Sequence, residues 1–296
     1  MKSSLHRIES IKLELTPVEL ASRCRHLPGL IFFDSALAAC EEDRISILAA
    51  NPTETISGRT AEDWALLREK LRACNPLQDD SSPTPGVNPK IAALARRVPL
   101  GMAAGFVEYD GQFTFGLYHG LLAFEHSSGN WVRIGNVDWD IPTEVTKAES
   151  QKAEGSSGSL GRPEFTPSLS REEFCRMVRR AKEYIAAGDI YQVNVSQQFT
   201  ARWEWDAWRF YESLRHHSAA PHATYVQLGG KTILSSSPEL FLQMSGSQII
   251  TKPIKGTRPR FADPVEDEQS ARELITSQKE MAELVMITDL DRKSVV

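Results

Sequence analysis

Thr251-Lys252-Pro253-Ile254-Lys255-Gly256-Thr257-Arg258-Pro259-Arg260 sets a lysine against a glycine-threonine turn flanked by further cations. Such a turn suits an anion and offers an amine as nucleophile. Sixteen residues earlier (255 − 239) stands Glu239, in Ser235-Ser236-Ser237-Pro238-Glu239, where Pro238 stiffens the chain. Two apolar segments separate the acid from the lysine, Leu240 to Met244 and Gln248 to Lys252, with the turn-forming Ser245-Gly246-Ser247 between them. Paired as a hairpin, they release Glu239 and Lys255 at the same end, an acid beside a base.

The 296 residues are 41% hydrophobic and 25% charged, the profile of a globular protein of one large or two small domains. A formal net charge of −5 opposes a dominant nucleic-acid footprint, though a small anion needs only a local basic patch. The amino terminus lacks the uninterrupted apolar core of a secretory signal, and no run is long enough to span a bilayer, so a cytoplasmic location is expected. Cys24, Cys40, Cys74 and Cys175 show no C-x-x-C spacing and no H-E-x-x-H frames a zinc site. Reduced structural thiols are the expectation.

Up to about Thr143, short apolar runs alternate with turns: Leu30 to Phe33, Ile45 to Ala49, Met102 to Val107, Phe113 to Glu125 and Trp131 to Ile134. They predict strands, with a helix over Ala61 to Ala73 and a Pro/Ser-rich loop over Asp79 to Lys90. Glu144 to Ser168 is polar and rich in small residues, which predicts a flexible linker. Its glycines, Gly155 to Gly161, follow no strand and open no helix, so a phosphate loop is not expected there.

Ser170 with Glu173 forms a capping box, and Phe174, Met177, Val178, Ala181 and Ile185 fall at helical spacing until Gly188, which predicts a core-facing helix over Arg171 to Ala187. Tyr191 to Phe199 alternates, with Gln192, Asn194, Ser196 and Gln198 on one face, and predicts a strand whose polar side meets either solvent or a cleft. Trp203, Trp205, Trp208, Phe210 and Tyr211 gather around a further helix as core or interface aromatics. His216, His217 and His222 lack a regular ligand spacing. Ser277 and Glu280 give a second capping box, and Glu280 and Glu283 are neighbours on one helical face. Two such carboxylates can hold a hard divalent cation, or form an ordinary acidic first turn favoured by the helix dipole.

Gly188 to Asn194, Ser235 to Glu239, Pro253 to Arg260 and Ala282 to Leu290, in this order and spacing, closely resemble the chorismate-utilising enzymes. The likeness is strong over about Ser170 to Leu290 and weaker before. The resemblance implies an α+β fold, two layers of antiparallel sheet flanked by helices. It also implies an organisation into a 1–143 amino-terminal sheet-rich region, a 144–168 linker and a 169–296 partial catalytic domain. Within the superfamily the chain is most similar to the aminodeoxychorismate synthase component I family, because Lys255 stands where the anthranilate synthase component I family ordinarily has alanine.

On this resemblance Lys255 attacks C2 of chorismate as a neutral amine while the C4 hydroxyl leaves. Ammonia from a separate glutamine amidotransferase subunit then adds at C4 and expels the lysine. Glu239 serves as proton donor and acceptor, Gly256 and Thr257 contact substrate, and Glu283, with Glu280 adjacent, is the Mg²⁺ ligand. Leu27 to Ala36 resembles a region that in some members holds tryptophan, as feedback inhibitor or structural ligand, and Asp34 and Ser35 stand at that motif. After Arg292 the family continues with Asn-Asp-Leu-Gly and a long further stretch, whereas this chain reads Lys293-Ser294-Val295-Val296. The resemblance therefore implies a chain truncated at its carboxyl end, lacking a second acidic metal ligand and the contacts to the chorismate carboxylates. Two alternatives stay open beside the aminating enzyme: anthranilate synthase component I, and a non-catalytic remnant.

Overall fold

The computed structural model describes residues 8–36, 44–74, 98–99, 101–142, 163–245 and 248–294. Its contacts divide the chain into two compact units, 1–145 with 211–296, and 146–210.

The first unit is built on a seven-stranded antiparallel sheet. Its order is β1 (Ile8–Ile11), β8 (Asn130–Gly135), β7 (Gly120–Glu125), β3 (Ile45–Ala49), β2 (Ile31–Asp34), β11 (His222–Leu228) and β12 (Lys231–Ser237). A three-stranded sheet, β4 (Glu54–Gly58), β6 (Phe113–Tyr118) and β5 (Met102–Val107), completes a second layer. Ile31, Ala49, Leu121, Val132, Val226 and Leu228 from the larger sheet share one buried cluster with Met102, Ala104 and Tyr118 from the smaller. The expected two layers of antiparallel sheet are present. Because β11 and β12 belong to the larger sheet, its strands come from both sides of the 144–168 stretch.

Ile31 and Phe32 do not alternate in polarity because both faces of β2 are covered. Ile31 joins the inter-sheet core, and Phe32 meets the Tyr211 ring edge-on at a centroid distance of 6.2 Å. Helix α1 (Pro17–Cys24) packs against β2 and β3, entered by a Thr16/Glu19 capping box with proline in the first turn. The expected single run Phe113 to Glu125 divides at His119, where the chain passes from one sheet to the other. Gly135 makes that crossing possible: its φ is +72°, and a Cβ there would lie 2.1 Å from the His119 carbonyl oxygen. Strands β2, β3, β5 and β8 and helix α2 (Ala61–Cys74) lie where the periodicity places them, whereas β1 and β4 add strands that the periodicity did not mark. Residues 79–90 and most of the 144–168 linker fall outside the described residues.

The second unit holds α3 (Arg171–Ala187), with the Ser170/Glu173 capping box and the left-handed Gly188 cap in place. Its apolar stripe corrects one expectation, since none of its residues is buried and Met177, Tyr184 and Ile185 are exposed. The second correction concerns Tyr191 to Phe199. Only β10 (Phe199–Thr200) is laddered, against β9 (Thr166–Pro167), and residues 191–198 form no ladder. Alternation specifies a pleat but not a partner, and the described residues of this unit provide only two paired positions. Trp203 packs on Trp205 and on Phe210, both at 4.8 Å.

Among the described residues no helix is long and apolar enough to cross a membrane. Cys24, the last residue of α1, is fully buried, and burial pushes its thiol up to about 12. In the native protein Cys24 should resist iodoacetamide at mildly alkaline pH while the half-buried Cys175 reacts, and denaturant should abolish the difference. Peptide mass spectrometry of the alkylated chain reads this directly.

Candidate active site

β13 (Leu240–Ser245) and β14 (Gln248–Lys252) form the hairpin expected from sequence, with Leu240 opposite Lys252. Gly246 and Ser247 at its tip lie outside the described residues. A register shift between Leu240 and Gln243 places one extra residue on β13, a bulge that bends the strand where it enters the site. Glu239 and the lysine turn do emerge together. The Ile254 N–H donates to Glu239 Oε1 at 3.1 Å, so the acid is fixed to the residue preceding Lys255. Ser237 steadies Glu239 from behind, its hydroxyl accepting the Glu239 N–H at 3.3 Å and donating to the Glu239 carbonyl at 3.1 Å. Lys255 is half-buried, and among the described residues no ion pair engages it.

Gly256 takes φ +78°. A Cβ there would stand 2.6 Å from Leu274 Cδ1 and 3.1 Å from Glu280 Oε2, so the turn rests directly on the two following helices. These are α5 (Pro264–Thr276), opened by the Asp263 cap, and α6 (Gln278–Ser294). The Ser270 hydroxyl donates to the Pro259 carbonyl at 2.7 Å, and Arg260 grips Asp267 through two bonds of 2.7 and 2.9 Å, which tie the turn to α5. Thr257, an expected substrate contact, is exposed beside it.

The second capping box forms only by half. Ser277 Oγ accepts the Glu280 N–H at 3.4 Å, but the Ser277 N–H goes to the Leu274 carbonyl at 3.3 Å because the same serine closes α5. The Glu280 carboxylate turns instead to the lysine turn and faces Arg258 Nη1 at 3.6 Å. Glu283, one turn on, faces Lys279 at 3.9 Å. Among the described residues no three His, Cys, Asp or Glu side chains gather as a metal site. The residues that the resemblance offers for a metal, Glu280 and Glu283, are two carboxylates. Such hard oxygen ligands fit Mg²⁺, which completes its shell with water and substrate oxygens, and do not fit a structural zinc ion.

Sequence reading set His222 aside for want of a ligand spacing. It opens β11 opposite Ser237, two residues before Glu239, and its imidazole is held below the usual histidine range by burial first and by the Lys252 charge next. Strand register, not ligand spacing, was the signal that would have placed it here.

Asp34 and Ser35 lie elsewhere in the unit, and their polar groups have partners inside the protein. The buried Asp34 carboxylate accepts from Arg215 Nε at 2.7 Å and from the Tyr211 hydroxyl at 3.2 Å, both on α4 (Ala207–His217). The Ser35 hydroxyl donates to the Ile45 carbonyl at 3.0 Å, and its N–H donates to Ser46 Oγ, which also meets His126 Nε2 at 2.8 Å.

A family model described as chorismate binding enzyme matches residues 34–295. The chain belongs to that family. It is 31% identical, over 91% of its length, to aminodeoxychorismate synthase component 1 of Salmonella typhimurium, and 29% identical over 90% to that of Klebsiella aerogenes. In both comparisons it spans 63% of the relative, less than two thirds of the length of these curated proteins. To anthranilate synthase component 1 of Thermus thermophilus it is 41% identical over 46% of this chain and 29% of the relative. The crystal structure of anthranilate synthase component I from Streptococcus pneumoniae shares the fold, with a TM-score of 0.59 at 21% identity over 94% of this chain and 66% of that one. The family resemblance and the α+β fold are thus both borne out.

Two expected outcomes follow from this geometry. Gly256→Ala should destabilise the chain by about 2–3 kcal/mol, combining a left-handed backbone with a side chain that Leu274 and Glu280 obstruct, read as a lowered thermal midpoint. His126 is held below the usual histidine range by burial first and by Arg44 next. The unfolded chain therefore binds that proton more readily. Its contribution to stability is complete above the unfolded value of about 6.5 and is lost as pH falls toward the lower folded one. The thermal midpoint should drop between about pH 7 and about pH 5, and less so in His126→Gln.

Proposed function

We propose that this chain performs the chemistry of aminodeoxychorismate synthase component I, replacing the C4 hydroxyl of chorismate by ammonia that a glutamine amidotransferase subunit supplies. The observation that carries this reading is the Glu239 carboxylate held on the Ile254 N–H, immediately before a lysine in the Pro-Ile-x-Gly-Thr turn. Lys255 Nζ forms a bond to C2 of the ring as the C4–O bond breaks, and Glu239 gives its proton to the departing oxygen, which leaves as water. Ammonia then bonds to C4, the C2–Nζ bond breaks with return of its electron pair to the amine, and the Glu239 carboxylate takes up the proton the ammonia sheds. Glu280 and Glu283 would hold Mg²⁺, whose chemistry when bound is to neutralise a substrate carboxylate. Gly256 and Thr257 line the turn on which the substrate would rest.

The 41% identity to a Thermus thermophilus anthranilate synthase component 1 favours a second reading, amination toward anthranilate. Incubation of the chain with chorismate, Mg²⁺ and an ammonium salt, with products separated by chromatography, tests both. The proposal expects 4-amino-4-deoxychorismate, lost in Lys255→Ala. In Glu239→Gln turnover should fall by about 10²-fold or more, with an unchanged thermal midpoint because the amide oxygen still accepts the Ile254 N–H. Anthranilate as product, or turnover that survives Lys255→Ala, would overturn the covalent scheme. No product from the wild-type chain leaves the non-catalytic remnant.

A further inference from the structure

Glu280 and Glu283 sit one helical turn apart, yet their surroundings differ. The Glu280 side chain is 16% exposed, and among the described residues its carboxylate accepts no hydrogen bond, only the approach of Arg258 Nη1 at 3.6 Å. A charge-assisted bond between such groups is normally about 2.7–2.9 Å, so Arg258 compensates this carboxylate in charge without hydrogen-bonding to it. Arg258 is itself tethered, since Nη1 also donates to the Thr257 carbonyl at 2.9 Å, and its side chain is 31% exposed. Glu283 faces Lys279 at 3.9 Å, but that lysine is 79% exposed, where water and salt screen the pair.

We propose that Arg258 is a built-in competitor for the divalent cation: its guanidinium neutralises Glu280 in the ligand-free chain, so Glu283 meets the metal first and Glu280 joins only when Arg258 turns away. The inference rests on the reading of the two carboxylates as a cation pair, and adds that Arg258, a positioning residue, sets their order of use. A guanidinium and a divalent ion on one half-enclosed carboxylate repel each other far more than either repels a hydrated lysine. The lysine turn is thereby coupled to the metal helix, because the residue that must move belongs to the segment carrying Lys255.

A double-mutant cycle on Mn²⁺ binding tests this without substrate or turnover, with free aquo-Mn²⁺ followed by electron paramagnetic resonance on the full chain. Arg258→Gln should tighten Mn²⁺ by about tenfold, and Arg258→Lys, which keeps the charge, should stay within about twofold of wild type. Glu283→Gln should weaken binding by about tenfold and Glu280→Gln by no more than about twofold, whereas Arg258→Gln with Glu280→Gln should lose the gain entirely. Arg258→Met replaces Arg258→Gln if the latter does not fold, as judged by circular dichroism. A gain that persists in the double variant, or no gain at all, overturns the role of Arg258 and leaves the cation pair standing. If neither wild type nor Arg258→Gln binds Mn²⁺, the cation pair itself fails and this inference falls with it.

Discussion

Ala223 opposite Asp34, and so on to Val226 opposite Ile31, is the register that joins the later part of the chain to the sheet begun by the earlier part. Backbone hydrogen bonds set the spacing, and the side chains fix the slip: moving β11 by one residue would send Tyr225 to the wrong face and strand Val226 outside the inter-sheet core. The buried Asp34 carboxylate reinforces that register through Arg215 and Tyr211 on the helix that leads into β11. From there the path is short and stiff. β12 returns along β11, and its last residue, Ser237, hands the chain through Pro238 to Glu239. The position of the acid is therefore set by the sheet, two strands away from the first polar staple.

The two ends of the site are held by different physics. Glu239 is fixed by neutral partners, the Ile254 N–H donating to its carboxylate in front and the Ser237 hydroxyl bonded to its backbone behind, which constrain geometry without cancelling its charge. The carboxylates of α6 are placed by packing, with Gly256 pressed against Glu280, while their charge is answered only by loosely approaching cations. The turn thus lies between a rigidly held acid on one side and an acid pair with loosely held counter-charges on the other.

Much of this was legible in the sequence, and for definite reasons. Leu240 to Met244 and Gln248 to Lys252 are adjacent in the chain, so their pairing needed no long-range information, and the meeting of Glu239 with the lysine turn followed from it. Ser170, Glu173 and Gly188 likewise mark both ends of α3 through local hydrogen bonds. What failed was the inference from amphipathicity to burial: the stripe of α3 is real but uncovered, and the alternation of Tyr191 to Phe199 names a pleat whose ladder needs a neighbour. His222 was set aside because its place depends on cross-strand register with Ser237, which ligand spacing does not record. The half-formed capping box at Ser277 was missed because one serine closes one helix while opening the next, a competition for a single N–H that no local motif records.

Among the described residues the β13–β14 hairpin pairs with no third strand and leaves Phe241 78% exposed, while β2, β3 and β7 are enclosed by neighbours on either side. Opening the hairpin uncovers little that is not already in water, so its local unfolding free energy is a small fraction of the global value. Its amides will exchange with solvent through sub-global openings, long before those of the central strands report unfolding of the whole sheet. The lysine turn thus hangs from a hairpin that is less cooperative than the central strands, while the register that leads to Glu239 is held in the larger sheet.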